Sequence, residues 1–432
     1  MRDIIVTLAI LSSLPYIWLR PHIGIYMWSL LAYLNPHRLT WGFAYNFPFS
    51  AMIAGMTIVS LLCTKEKKSM PWTPITIVWL LMIAWFSFAT LFAMVPENAV
   101  NEWSHFIKIQ LFAFFTVMLC QSRARINGLI AIIVISVGFY GVKGAIFTVL
   151  TGGQWSVVGP PESFMAGNNE IGFTMMLVLP LAVYLRTQVE KRLFKVALMI
   201  VVIALLISIL ATYSRGALIS IGVISFYFIL KHKQRIRLLI GLATIVYAAL
   251  NFLPQQWMDR MNTIEDYEED ASMGGRYNAW HFAYNLALDR PFVGGGFRVF
   301  NPSTFHLYAP DPDAFHDSHS IYFEVLGEQG FVGLALFLLL ALLAFLKTVH
   351  IRRTTKGVAS LKWAYDLGLA LQVCLIGYAT GGIVIGLAYF DLLYHIIGLI
   401  VLTSVVIGRE LEKEKLLEVT QAHQEAAGSR SC

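Results

Sequence analysis

Long apolar runs, repeated from one end of the chain to the other, dictate what these 432 residues can become. Residues 49–63, 72–94, 104–120, 127–151, 168–187, 195–213, 215–231, 238–253, 321–346, 363–380 and 389–407 are each predominantly apolar. A helix of ~20 such residues crosses a bilayer, and in lipid only helices and closed barrels satisfy every backbone polar group. Runs of this length are helices, not barrel strands. The overall balance agrees, with 57% hydrophobic and 13% charged residues and a mean hydropathy of +0.65, against ~45–50% apolar and ~25% charged in soluble domains.

The fold class expected is therefore an all-α integral membrane protein with about 12 transmembrane helices. Residues 3–35 are ambiguous, because Arg20-Pro21 divides them into two short pieces; with Arg2 inside, they read as one crossing kinked at Pro21, and the alternative is two crossings, about thirteen in all, with the N-terminus outside. No small-residue cleavage site follows the apolar residues 1–19, so this segment is expected to stay in the protein.

Charge sets the orientation. Basic residues gather at Lys65/Lys67/Lys68, Arg123/Arg125, Arg186/Lys191/Arg192/Lys195, Lys231/Lys233/Arg235/Arg237, Lys347/Arg352/Arg353/Lys356 and from Arg409 onward, while 95–103, 152–167 and 381–388 contain no Lys or Arg. The basic loops are thus cytoplasmic and the others face outward, which places both termini in the cytoplasm. The net charge of +6 is accounted for by these loops, so no nucleic-acid partner is expected. Cys63, Cys120, Cys374 and Cys432 have no metal-ligand spacing and read as structural.

Three parts follow: N-terminal transmembrane helices at 1–167, a transmembrane core at 168–408 that includes an outward loop at 254–320, and a charged cytoplasmic tail at 409–432. Loops beyond ~12–15 residues are usually functional or disordered, and this one carries Tyr277, Trp280, Tyr284, Ala287 and Leu288 at helical spacing. The stripe predicts a helix lying on the membrane surface.

Three outward positions could carry chemistry. Arg215, in Thr212-Tyr213-Ser214-Arg215-Gly216, is costly at membrane depth and sits against the positive-inside bias; it snorkels to headgroups or holds a phosphate through its planar fork. Arg276 follows Gly274-Gly275 and is expected to open the surface helix, where free N–H groups attract anions; the alternative is a solvated loop arginine. His319, in His316-Asp317-Ser318-His319-Ser320-Ile321-Tyr322, stands at the membrane boundary with an ordinary pKa near ~6.5, suited to proton abstraction. His316 and His319 with Asp311, Asp313 and Asp317 are also a zinc-type ligand set, or plain polar loop residues.

Lesser candidates are Lys143, as added positive charge or a snorkelling lysine, and Asn169, as a helix cap or a site residue. The run Glu265-Asp266-Tyr267-Glu268-Glu269-Asp270 reads as a solvated loop with calcium as a weaker alternative, and Gly294-Gly295-Gly296 as a turn.

Ser214-Arg215-Gly216, Gly275-Arg276 with Trp280, and Ser318-His319-Ser320-Ile321-Tyr322 with Glu328-Gln329-Gly330 follow one another in this order. In this the chain resembles the bacterial O-antigen ligase and polymerase superfamily, best over about 170–345; residues 1–120 are similar to the N-terminal part of exosortase-associated O-glycosylation ligases. The resemblance implies a membrane glycosyltransferase-like fold, an undecaprenyl diphosphate-linked glycan donor, no metal or other cofactor, Arg215 and Arg276 on the diphosphate, and His319 as general base; His316, Tyr322, Asn169 and Lys143 stand beside these as supporting candidates by position. The family often has Asn where Ser320 stands. The acceptor implied first is lipid A–core oligosaccharide; a protein serine or threonine, or a growing glycan, are the other two. The site is then periplasmic in a bacterial inner membrane. A transporter or flippase is the reading from another class, but that would show repeated halves or broken helices at mid-membrane, whereas these polar residues gather at one face.

Overall fold

The computed structural model describes residues 1–66, 68–231, 236–237, 240 and 271–429, and among them every regular element is helical. The elements are α1 (Arg2–Leu11), α2 (Leu14–Leu19), α3 (Pro21–Leu34), α4 (Phe49–Cys63), α5 (Pro74–Thr90), α6 (Pro96–Leu119), α7 (Arg123–Leu150), α8 (Asn168–Gln188), α9 (Arg192–Ala211) and α10 (Arg215–Lys231). There follow α11 (Ala271–Asp289), α12 (Pro302–Tyr308), α13 (Ile321–Thr355), α14 (Lys362–Gly381) and α15 (Asp391–Ser429). Six helical stretches among the described residues are long and apolar enough to span a membrane, including Arg123–Leu150, Ile321–Thr355 and Asp391–Glu414; Phe49–Cys63, Pro74–Thr90 and Arg215–Tyr227 are shorter apolar helices. The segment 238–253 lies essentially outside the described residues, as do Glu265–Asp270 and Cys432.

The start of the chain follows the second of its two readings. Ser60 Oγ of α4 donates to Ile17 O at 2.7 Å, Asp3 Oδ1 accepts from Gly42 N at 2.9 Å, and Tyr26 Oη donates to Arg125 O at 2.9 Å. So α1–α2 and α3 run antiparallel rather than as one kinked helix. The cause is local: Arg20 is extended (φ −144°, ψ 92°), as a residue before proline prefers, and the chain reverses there. The first residues therefore lie at the opposite end of the bundle from Arg409.

Charge separates the two ends. At one end Arg125 pairs with Glu66, Arg123 donates to Gln188 (3.2 Å), Arg409 to Gln121 (2.5 Å) and Arg352 to Gln372 (2.6 Å). The loops poor in lysine and arginine meet at the other: Val157 N bonds Ala211 O (2.8 Å), Ile321 N bonds Gly382 O (2.8 Å) and Met94 N bonds Gly295 O (2.8 Å). Between them lies a core in which α8, α14 and residues 391–407 of α15 are mostly buried. His395 of α15 is there, bonded to Tyr33 Oη (2.8 Å) and Ser29 Oγ (3.2 Å).

The segment 290–301 is seated on a break in α13. Gly330 takes φ 68°, ψ −173° inside that helix. The groups released there are satisfied by the loop: Phe331 N bonds Pro291 O, Gly295 N bonds Gly327 O and Gly296 N bonds Glu328 O, all at 2.8 Å, as buried backbone requires. The three glycines are more than a turn. Gly294 (φ 61°) and Gly296 (φ 84°) adopt left-handed geometry, and a Cβ on Gly294 would meet Gly327 O at 2.7 Å. The adjoining Phe297 enters the core, its ring 5.0 Å from Tyr389 and 5.4 Å from Phe106.

Candidate functional site

His319 is held in a conformation that few histidines adopt. Its φ is 40°, and the left-handed region costs a non-glycine residue about 1–3 kcal/mol. The neighbours impose it. Ser318 N donates to Asp317 Oδ1 (2.8 Å), Ser318 O accepts from Trp280 Nε1 (2.8 Å), and Ile321 N is fixed on Gly382. Trp280 itself stacks on Phe323, centroids 5.0 Å apart and planes 9° off parallel. The indole of α11 thus clamps the approach to α13 and aims the imidazole.

Burial pushes the His319 pKa below its ordinary value of 6.5; Arg276 and His316 push the same way, and Asp317 opposes them. A neutral imidazole results near neutral pH, ready to take a proton. The His316 ring lies 5.0 Å from that of His319, with its Nδ1 bonded to Asp317 O at 2.8 Å. Gly275 explains the Gly-Arg pairing: a Cβ there would lie 2.5 Å from the His316 ring. Arg276, His316, Asp317 and His319 therefore form one cluster.

Two expectations about helix ends are exchanged. α11 starts at Ala271, so Arg276 lies in its second turn and its influence is that of a guanidinium, not of free N–H groups. Arg215, by contrast, is the first residue of α10, preceded by buried Ser214, whose Oγ accepts from Ala217 N at 3.3 Å. The stripe on α11 also divides. Tyr277, Tyr284 and Leu288 are exposed, whereas Ala287 is buried and Trp280 packs on Phe323; Ala279, Phe282, Ala283 and Leu286 form the inner face.

Arg215 and His319 flank one loop, 382–388. A Cβ on Gly216 would meet Val384 at 2.7 Å, and one on Gly386 would lie 3.5 Å from His319 Cα. Asn168, not Asn169, ties α8 to the Arg215 turn, donating to Thr212 O at 2.8 Å. Tyr322 directs its hydroxyl to Ala379 O (2.7 Å). Lys143 is exposed on α7, in a groove with Arg2, Arg38 and Trp41, away from the imidazole cluster. Among the described residues no three His, Cys, Asp or Glu side chains converge in ligating geometry; Asp311 instead accepts from Asp313 N at 3.2 Å in an exposed turn.

Beside the cluster is a cavity of about 500 Å³ that sequence reasoning missed. Asp317 reaches it from the His319 loop, Glu324 and Glu328 from the first turns of α13, Glu102 from α6 and Asp391 from α15. Arg298, with φ 59°, donates through its backbone N to Glu328 Oε1 (2.8 Å) and through Nε to Glu102 Oε2 (2.9 Å). Burial works against the Arg298 charge, but Glu102 more than offsets it and raises its pKa above the ordinary value. Glu324 and Glu328, four apart on a helix, share a face; that spacing was the available signal, obscured because the residues look like ordinary surface glutamates at a helix start.

Residues 199–338 match the O-antigen ligase family, and residues 1–190 match a family of unknown function. No curated protein matches the chain. The chain is thus a membrane protein with an O-antigen ligase-like region that holds Arg215, Arg276 and His319, and such a region implies polysaccharide or lipid-linked glycan substrates.

Proposed function

We propose, from the premise that residues 199–338 are O-antigen ligase-like, that this protein transfers a glycan from undecaprenyl diphosphate to lipid A–core oligosaccharide at the periplasmic face of a bacterial inner membrane. The observation that carries the reading is His319, on strained backbone in one cluster with Arg276, His316 and Asp317 within that region. The basic end of the bundle is the cytoplasmic one, which turns the His319 end outward.

The acceptor hydroxyl attacks the anomeric carbon of the donor sugar as the bond from that carbon to the diphosphate oxygen breaks. His319 takes the hydroxyl proton, and undecaprenyl diphosphate leaves with the bonding electron pair. Negative charge grows on the phosphate oxygens, where Arg215 and Arg276 stabilise it; such preorganised charge is worth most in a site shielded from water. Attack opposite the leaving group inverts the anomeric centre, and a diphosphate needs neither nucleotide nor metal to depart. Asp317 stabilises the imidazolium once it forms.

The test is transfer by purified protein in liposomes with lipid-linked glycan and three acceptors: lipid A–core, a serine- or threonine-bearing peptide, and free glycan. Product on lipid A–core, lost in His319→Ala and insensitive to EDTA, is the expected result. Product on the peptide or glycan alone would reassign the acceptor to a protein O-glycosyltransferase or a polymerase. Solute movement without joined product would favour a transporter.

A further inference from the structure

We infer that a pocket between α10, α13 and α14, at the basic end of the bundle, binds the phosphate of an acidic phospholipid from the cytoplasmic leaflet. It lies at the opposite end of the bundle from His319, and the inference does not depend on the glycan-transfer reading.

Packing leaves the opening. α14 packs along both α10 and α13, which scarcely touch one another among the described residues, so α14 floors a cleft between them. Gly368 of α14 lets α13 come close, since a Cβ there would meet Ile351 at 3.0 Å and the Arg352 stem at 3.2 Å. The cleft holds a pocket of about 270 Å³. Tyr227 lines it from α10, Tyr365 and Gln372 line it from α14, and three cations, Arg352, Arg353 and Lys356, reach it from the end of α13.

Charge specifies the ligand. Arg352 Nη1 donates to Gln372 Oε1 (2.6 Å) and Tyr227 Oη (3.4 Å), and Nη2 donates to Tyr365 Oη (3.2 Å). The guanidinium carbon also stands over the Tyr365 ring, 5.2 Å from its centroid. All these partners are neutral, so they fix the direction of the guanidinium without cancelling its charge. Among the described residues no carboxylate lines the pocket, and none of the three cations is in an ion pair. Asp366, in the adjoining pocket, is held by Lys362 at 2.6 Å. A half-buried charge without a counter-ion is costly, and a planar guanidinium held in place matches phosphate oxygens.

The walls specify what carries the phosphate. Leu342, Leu346 and Val349 share one face of α13; Val349 lines the pocket, and Leu342 and Leu346 are 53% and 52% exposed. On α10, Val223 lies one turn before Tyr227 and is exposed too. Apolar tracks therefore lead from the pocket toward the middle of the bilayer, where acyl chains lie, whereas free phosphate would leave them unused. Acidic lipids are drawn to basic residues at the cytoplasmic surface. A zwitterionic lipid would bring its own ammonium among three cations.

The test is native mass spectrometry of the full chain in detergent, titrated with phosphatidylglycerol or phosphatidylcholine of the same acyl chains. Phosphatidylglycerol should bind at least about tenfold more tightly. Arg353→Ala with Lys356→Ala, both exposed, should remove most of that advantage and leave phosphatidylcholine binding unchanged. Lys191→Ala with Arg192→Ala, exposed cations of the same end that do not line the pocket, should alter neither lipid's affinity by more than about twofold. Equal affinity for the two lipids, or equal losses from the two pairs of substitutions, overturns the inference in favour of diffuse surface attraction. Displacement of phosphatidylglycerol by inorganic phosphate at the same concentration overturns it in favour of a free-phosphate site.

Discussion

The two ends of this bundle use the same residue types for different purposes. At the basic end cations are consumed by architecture: Arg352 is shared among Gln372, Tyr227 and Tyr365, and Arg125 among Glu66 and Leu119 O. At the other end Arg276 lies close enough to depress the pKa of His319, and Arg215 begins a helix against the loop that flanks that histidine. Histidines divide the same way. His395 has both ring nitrogens engaged in the core, whereas His319 sits half-buried on strained backbone at the rim of a cavity. Sites are distinguished by incomplete local satisfaction, not by residue type.

The sharpest break of this comparison is a pair of histidine variants. His319→Ala should lower transfer by ~10²–10⁴-fold with an unchanged melting temperature. His395→Ala should do the reverse, costing about 1–3 kcal/mol by leaving Tyr33 and Ser29 without their partner while sparing the rate per folded molecule. Arg215→Lys comes next: it keeps charge but loses the planar fork, and transfer should fall ~10–10²-fold, whereas Arg352→Lys at the basic end should leave kcat unaltered and lower only thermal stability.

Smaller effects probe the electrostatics. His319 acts when neutral, so kcat/KM rises with pH through its pKa and then levels. Arg276 lowers that pKa; Arg276→Gln should therefore move the acid limb to higher pH, in addition to weakening donor binding. Asp317 raises it, so Asp317→Asn should move the acid limb to lower pH. Shifts in the same direction for both variants would separate Arg276 and Asp317 from the histidine. The smallest change expected is Gly275→Ala, whose methyl would meet the His316 ring at 2.5 Å; it should reduce the rate about threefold with little effect on stability.

Much of this was legible in the chain. Helices α4 to α10 and α13 to α15 fall on the apolar runs because each must satisfy its own backbone in lipid, and loop charge sorted the connections into two groups that the fold then brought to opposite ends. Ser318-His319 and Gly275-Arg276 were visible as polar islands at apolar boundaries. The N-terminal hairpin was not, because a proline break reads alike as a kink or a reversal until Ser60 is seen to bond Ile17. Nor was the helical start at Ala271, which moved Arg276 off the helix end.

What the sequence alone determined is an all-helical membrane protein with a polar face at one end, because hydropathy and charge act along the chain over single helices. Only tertiary structure decided that Asp317, Glu324, Glu328, Glu102 and Asp391 share one cavity, and that Gly294–Gly296 completes the break in α13. Those relations join residues tens to hundreds of positions apart, and no local periodicity encodes them; they arise where loops from many helices are packed together and must satisfy one another's polar groups.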